Sequence, residues 1–456
     1  MESNMGHWDR FFRAAFVALA VGLGWGIRGD FGHVLGAMYP GAALGLAFAF
    51  VTGQRSMFKW APLLGALGAL FISAGGRMSY GMLHGYAKAD TFINFSYGFF
   101  TLLLQGGAWG AFGCAIIGLF FDRNRMRVSD WAAAAATVFA SGWLFYHLVV
   151  SIIGFDINPG RSNTAIAFTG GVIGLFLWLS LNQRAYGFKG ALLGYIGFGM
   201  GMAGGRFLAN ASYLQPFPVN HWNIMEVMCG VIGGFVFTYG MLGKRFPDPP
   251  DDEPYPLLNI YSMFFVLGLI PLLHRINRIP AGEKLEEWAG RLEGYGYADP
   301  AGLSEWVLIG LNTVCVLGFV GAGVWLFLYM RDQHRFAALP VLWLSGVMVL
   351  VQNLNALYFF YPRQEGSINM HFVFWIMLAL MLLYAAVWKP RDVTDSDDAA
   401  EHINWGKWAA GALGAFVLII VLAVFVNGEE TMASANMRWP QWSWREGEPP
   451  DRGLFW

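Results

Sequence analysis

The chain has 456 residues, of which 56% are hydrophobic, 17% aromatic and only 13% charged, against roughly a quarter charged in an ordinary soluble domain. That balance excludes a water-soluble globule. With 29 Lys and Arg against 30 Asp and Glu the net charge is −1, so the basic excess that nucleic acid demands of a partner is missing.

Thirteen apolar runs follow one another, at about 11–28, 34–53, 60–77, 96–121, 131–154, 164–182, 190–208, 222–242, 257–273, 304–330, 336–360, 370–388 and 405–427. Each is about the length a helix needs to cross a hydrocarbon core, and a bilayer admits only helices or closed barrels. The expected fold is therefore an all-α polytopic membrane protein with about 13 transmembrane helices. The first run starts after Arg10 and Arg13 without a small-residue cleavage site behind it, which reads as a retained helix with its N-terminus inside. Alternation from there leaves 16 Lys and Arg on the cytoplasmic side and 13 outside. The expected orientation is N-in/C-out, as a multi-pass protein of the cytoplasmic (inner) membrane.

The front half carries an internal repeat. Residues 61–77, APLLGALGALFISAGGR, match 190–206, GALLGYIGFGMGMAGGR, at eight of seventeen positions, and the same offset of 129 aligns 41–55 with 170–184. Residues 1–129 and 130–245 thus read as two four-helix repeats, a parallel 4+4 duplication about an axis along the membrane normal. The Pro/Asp-rich stretch 246–256 reads as a cytoplasmic linker, since prolines and carboxylates at that density hold no helix. Residues 257–427 form an expected five-helix C-terminal bundle with an outer loop at 274–303. Within that loop, 283–292 has Leu285, Trp288 and Leu292 on one helical face, which fits a helix in the outer interface or a solvated loop helix. Residues 428–456 are a Trp-rich outer tail that suits an interfacial anchor or a protein partner.

Glycine pairs such as Gly41/Gly45 and Gly106/Gly110 signal close helix packing. Cys114, Cys229 and Cys315 lie in apolar runs, too far apart to suggest a disulfide framework or a thiolate metal site. Neither a metal nor a cofactor is expected, and no P-loop, HExxH or GxSxG pattern occurs.

The arginines carry the functional signal. Arg28, Arg77 and Arg206 stand at the outer ends of apolar runs, and Arg161 lies just beyond another. Arg77 and Arg206 follow Lys59 and Lys189 by 18 and 17 residues, a rise of roughly 25–27 Å that falls short of a core of about 30 Å. Both should sit near one depth facing the inter-repeat axis, where a charge is costly and marks a site or an ion pair. The preceding Gly pairs should loosen the helix ends and offer backbone amides beside the guanidinium, a combination suited to a planar anion. Asp30 and His33 beside Arg28, His84 after Arg77 and Glu226 one turn into the eighth helix stand around them in the outer connections as proton-coupling or catalytic groups. Three readings of the arginines stand side by side: neutralisation inside the fold (Arg28 with Asp30, Arg206 with Glu226), an outward-facing anion site, and snorkelling to lipid headgroups.

The resulting expectation is a transporter or channel-like carrier of a small anion, with an arginine-lined site near the outer face between the repeats. The alternatives are an outer-leaflet enzyme acting on a lipid-linked or phosphorylated substrate, and a non-catalytic membrane subunit of a larger complex.

Overall fold

The fold is taken from a computed structural model and described for residues 6–78, 80–122, 126–158, 162–212, 221–242, 256–277, 283–360, 371–388 and 405–427. The linker 246–256 except Pro256, the acidic run 392–401, Arg161 and the tail 428–456 lie outside the described residues.

No strand occurs among the described residues. In chain order the helices are α1 (His7–Arg28), α2 (Val34–Val51), α3 (Met57–Ala74), α4 (Gly81–Tyr86), α5 (Phe92–Leu119), α6 (Val128–Tyr146), α7 (Thr164–Leu181), α8 (Ala185–Ser212) and α9 (His221–Met241). They continue as α10 (Pro256–Met263), α11 (Ile270–Asn277), α12 (Glu283–Gly294), α13 (Pro300–Met330), α14 (Leu339–Asn355), α15 (His371–Val387) and α16 (Trp405–Val426). A π segment, Phe264–Leu269, joins α10 to α11, and another, His147–Ile152, extends α6. By length and composition, 11 of the described helical stretches can cross a membrane. The chain is a multi-pass helical membrane protein. The two remaining runs of the sequence fall on glycine-rich α8, with 28 residues, and on α15, with 17.

Six helices close into a ring: α1 packs on α2, α2 on α3, α3 on α5, α5 on α8, α8 on α9, and α9 returns to α1. Glycine makes the contacts possible. A Cβ on Gly41 would stand 2.2 Å from the Gly68 carbonyl oxygen, and one on Gly110 2.0 Å from that of Gly194, so the backbones touch where no methyl group fits. Aromatic side chains then span the ring between helices that are not neighbours in it. Trp25 of α1 lies 5.2 Å from Trp109 of α5 and 6.1 Å from Phe198 of α8, and Phe48 of α2 lies 5.1 Å from Phe237 of α9.

Polar side chains tie the ring's ends. Arg13, fully buried, pairs with Asp9 at 3.0 Å and donates to the carbonyls of Val51 at 2.6 Å and Thr52 at 3.1 Å. It thereby takes up carbonyls that the end of α2 leaves without helical partners. Asp122, just after α5, accepts from the amides of Tyr186 and Gly187 at 2.9 and 3.0 Å, which caps the first turn of α8.

The hairpin of α6 and α7 sits outside the ring. Here α7 runs along α6 and touches α8 only lightly, whereas α2 runs along α3; the stretches aligned by the 129-residue offset have different neighbours. Behind the ring, α13 packs on α14 and on the α10–α11 unit, α10 reaches α3, and α15 packs on α1. The short α12 is seated on this group. Its Trp288 and Leu292 are fully buried, and the Trp288 indole donates to the Asn355 carbonyl at 3.1 Å. By contrast α16 leaves the group and lies along α8.

Candidate functional site

One end of the ring gathers ionisable and aromatic side chains. Arg28 is the last residue of α1, where a cation favours the helix dipole, and it is 2% exposed. Its Nη2 pairs with Glu226 Oε1 at 2.9 Å, and Glu226 is equally buried on α9. The next residue, Gly29, makes room for that carboxylate, since a Cβ there would lie 2.4 Å from Glu226 Oε2. Arg28 also donates to the Tyr80 hydroxyl, which donates in turn to Glu226 Oε1 at 3.4 Å, and its Nη1 lies 3.4 Å from His33 Nδ1. Three rings stand around the guanidinium, Trp25, Tyr80 and Trp109, with centroids 5.0, 5.3 and 5.4 Å away.

The connection between α3 and α5 folds over this pair. It carries Tyr80 and, on the six-residue α4, His84, which is fully buried. The His84 ring lies 5.1 Å from Tyr80 and 4.8 Å from Trp222, and neither of its nitrogens has a hydrogen-bond partner among the described residues. Burial, then the charges of Arg206 and Arg28, hold its pKa well below the ordinary value. His33 keeps an exposed edge, yet packing of its ring and then Arg28 pull it down to about 4. Both imidazoles are neutral at pH 7. The connection is pinned from beyond the ring: Asn427 donates to the carbonyls of Ala87 and Ala89 at 3.0 and 2.9 Å, and Asn210 donates to Ala87 at 2.9 Å and to Asn427 Oδ1 at 2.9 Å.

Four of the residues singled out by sequence therefore meet at one place: Arg28, His84, Glu226 and Arg206, which is 1% exposed. His33 lines the edge. Asp30 accepts from Gln352 of α14. The anticipated exchange of partners differs from the one found, because Arg28 and Asp30 are two residues apart and do not share a helix face, while Glu226 comes from the neighbouring helix that closes the ring.

The two AGGR segments also part company. After Ala74, α3 tightens into a 3-10 turn, Gly75–Arg77, and the Arg77 side chain is exposed, its carbonyl accepting from the Thr164 hydroxyl at 3.0 Å. In contrast α8 runs on through Gly204, Gly205 and Arg206 to Ser212, so its amides there stay inside the helix. Gly75 admits the Trp109 indole, whose Cδ1 would be 1.7 Å from an added Cβ, but at Gly204 the nearest atom is 3.6 Å away. The expected match of Arg77 and Arg206 in setting does not hold: one is exposed and the other buried.

Sequence reasoning did not single out the aromatic wall. Trp25 carried a signal, standing three residues before Arg28 on the same helical face; Trp109 and Trp222 come from α5 and α9 and had none. Gln352 donates across to Asp30, while Asn353 and His147 serve local bonds, to the Val349 carbonyl and to the Ser151 hydroxyl. Among the described residues no group of three His, Cys, Asp or Glu side chains converges as a metal site. Set beside known proteins, the chain matches no family model, no curated protein and no solved structure.

Proposed function

We propose that the protein is a membrane carrier of a small anion, received at the Arg28 end of the ring. The observation that supports this most directly is that two buried guanidiniums, Arg28 and Arg206, both act on one buried imidazole, His84, whose nitrogens have no hydrogen-bond partner among the described residues. A neutral buried imidazole gains by donating to an anionic oxygen, and adjacent guanidiniums favour the same charge. Arg28, braced by Glu226, and Arg206 supply the positive field, and His84 is the donor offered to the anion, with His33 at the entrance. Arg77 belongs to the entrance too, while Asp30 links the site to α14. In this reading the AGGR segments descend from one duplicated element, the Arg28 end faces outward by the distribution of Lys and Arg, and the membrane is the cytoplasmic one.

A second reading has specific support. Trp25, Trp109 and Phe198 fill the ring beneath the polar cluster, which suits chemistry on one side of the membrane: an enzyme acting on a lipid-linked or phosphorylated substrate, with His84 or His33 exchanging the proton. Proteoliposome uptake across a panel of labelled inorganic and carboxylate anions separates the two. The carrier reading expects uptake in the wild type and its loss in Arg206→Gln and His84→Phe. Absence of uptake for every anion, or variants that transport as the wild type does, removes it; turnover of a phosphorylated lipid without uptake establishes the enzyme instead.

A further inference from the structure

The end of α14 is held in a conformation that its sequence does not favour. Leu357, two residues past the helix, is fully buried with a φ of 59°, where glycine is usual because a Cβ crowds the backbone. Among the described residues the other non-glycine positions with positive φ are Gln183 and Asp332, both polar. Donors from outside the helix hold this turn. The Trp288 indole bonds the Asn355 carbonyl at 3.1 Å, Arg291 Nη2 donates to that of Ala356 at 3.2 Å, and the Tyr297 hydroxyl donates to that of Phe360 at 3.0 Å. All three come from α12 and the turn after it, so 283–297 lies across carbonyls that the helix end leaves over. In the last turn of α14, Gln352 donates to Asp30. Asp30 belongs to the 3-10 turn Gly29–Phe31, which follows Arg28 directly. Gly29 there abuts the Glu226 carboxylate, and the buried Phe31 ring lies 4.8 Å from His274 of α11. That turn is the joint between the ring and the helices behind it.

We infer that residues 283–297 are a strap that regulates the Arg28 site through α14. Seated, the strap keeps Leu357 left-handed and Gln352 on Asp30. Lifted, it lets the strained turn relax, withdraws Gln352 and frees Gly29–Phe31, and with them the Arg28 end of α1. The inference rests on the carrier reading only for what the site receives. Strain supplies the direction of change: Leu357 gains by leaving the left-handed region, so the seated state stands only while its donors do. The strap is also built to lift. Within α12 only Trp288 and Leu292 are fully buried, while Glu283, Glu286, Glu287 and Glu293 are exposed. Gly296 follows with a φ of 83° and nothing within 4 Å of an added Cβ, a place where the backbone can absorb the movement.

The test is hydrogen–deuterium exchange on the full chain in nanodiscs, read by mass spectrometry at residues 29–33, 283–297 and 352–360. Arg291→Met with Tyr297→Phe removes two strap donors and keeps their apolar parts. The pair should speed exchange at 352–360 and, through Gln352, at 29–33 by about tenfold, the factor that one hydrogen bond of ordinary net strength carries. Gln352→Leu should speed 29–33 as much and leave 283–297 as in the wild type. Adding the strap substitutions to Gln352→Leu should change 29–33 no further. Should the pair fail to fold, Tyr297→Phe alone, at a partly exposed position, should give a smaller shift of the same pattern. Strap variants that loosen 283–297 and 352–360 but leave 29–33 unchanged overturn the proposal, as do effects of the strap and of Gln352→Leu that add. Labelled-anion uptake by the wild type is scored apart from this: its absence removes the carrier reading, whereas an unmoved 29–33 removes the strap.

Discussion

Arg28 and Glu226 form an ion pair at 2.9 Å with less than 4% of either side chain exposed, and they come from the two helices, α1 and α9, whose contact closes the ring. A pair so buried is costly to break because the survivor is left as an uncompensated charge. Glu226→Leu should lower stability by about 3–5 kcal/mol, read as a loss of thermal midpoint in detergent. The double variant Arg28→Met, Glu226→Leu should recover most of it; if the double falls further than the single, the pair is not the unit that matters.

Gly75 and Gly204 occupy the same place in the two AGGR segments and should respond oppositely to a methyl group. Gly75→Ala drives a Cβ into the fully buried Trp109 ring, an overpacking that typically costs about 1–3 kcal/mol. Gly204→Ala meets nothing closer than 3.6 Å and should be neutral or slightly stabilising. Thermal unfolding of the two single variants, side by side, decides it.

Acid should weaken the fold through the histidines over the site. His84 and His33 are held neutral in the folded chain but return to about 6.5 when unfolded. Below that value the unfolded state binds more protons, so stability is complete above pH 6.5 and falls as the pH drops, for His33 down to about 4. The loss from His84 is at most about 1.4 kcal/mol per pH unit. His84→Gln should flatten a stability profile recorded between about pH 4 and 7; an unchanged slope would mean that His84 does not titrate on unfolding.

The clamp on the α3–α5 connection can be released at a distance. Asn427→Ala removes the donors to Ala87 and Ala89 and the acceptor for Asn210, leaving buried carbonyls with fewer partners at a cost of about 1–3 kcal/mol. Amide exchange across residues 80–91 should speed up at least tenfold while that of α5 beyond Gly98 stays unchanged. Asn427→Asp keeps the side chain's shape and removes only the donors, and it should behave like the alanine variant.

Much of this fold was legible because lipid imposes length. Runs such as 34–53 and 96–121 correspond to α2 and α5 to within four residues at either end, and Arg28 and Glu226 stand out as charges within apolar runs, with His84 in the connection after Arg77. What stayed hidden is what depends on which helix meets which. The AGGR match could not tell that α8 continues past Arg206 while α3 stops before Arg77, since the determinant is the chain after each arginine and the neighbour each glycine faces. Glu226, expected beside Arg206, pairs with Arg28 because ring closure brings α9 against α1. The aromatic wall escaped for the same reason, since Trp109 and Trp222 lie far from Arg28 in the chain and reach it only once the ring is formed.

Ring closure between the first helix and the ninth also sets a schedule for synthesis. Glu226 emerges 198 residues after Arg28, and at about 5–20 residues per second that interval lasts on the order of ten to forty seconds. Throughout it the guanidinium lacks its carboxylate, and for the first 81 residues it lacks the Trp109 face as well, so α1 cannot settle with Arg28 in hydrocarbon. The nascent first helix must keep that end at the aqueous boundary or in a chaperoning channel until α9 arrives. Truncation before residue 226 therefore leaves Arg28 without its carboxylate, however complete the preceding helices are.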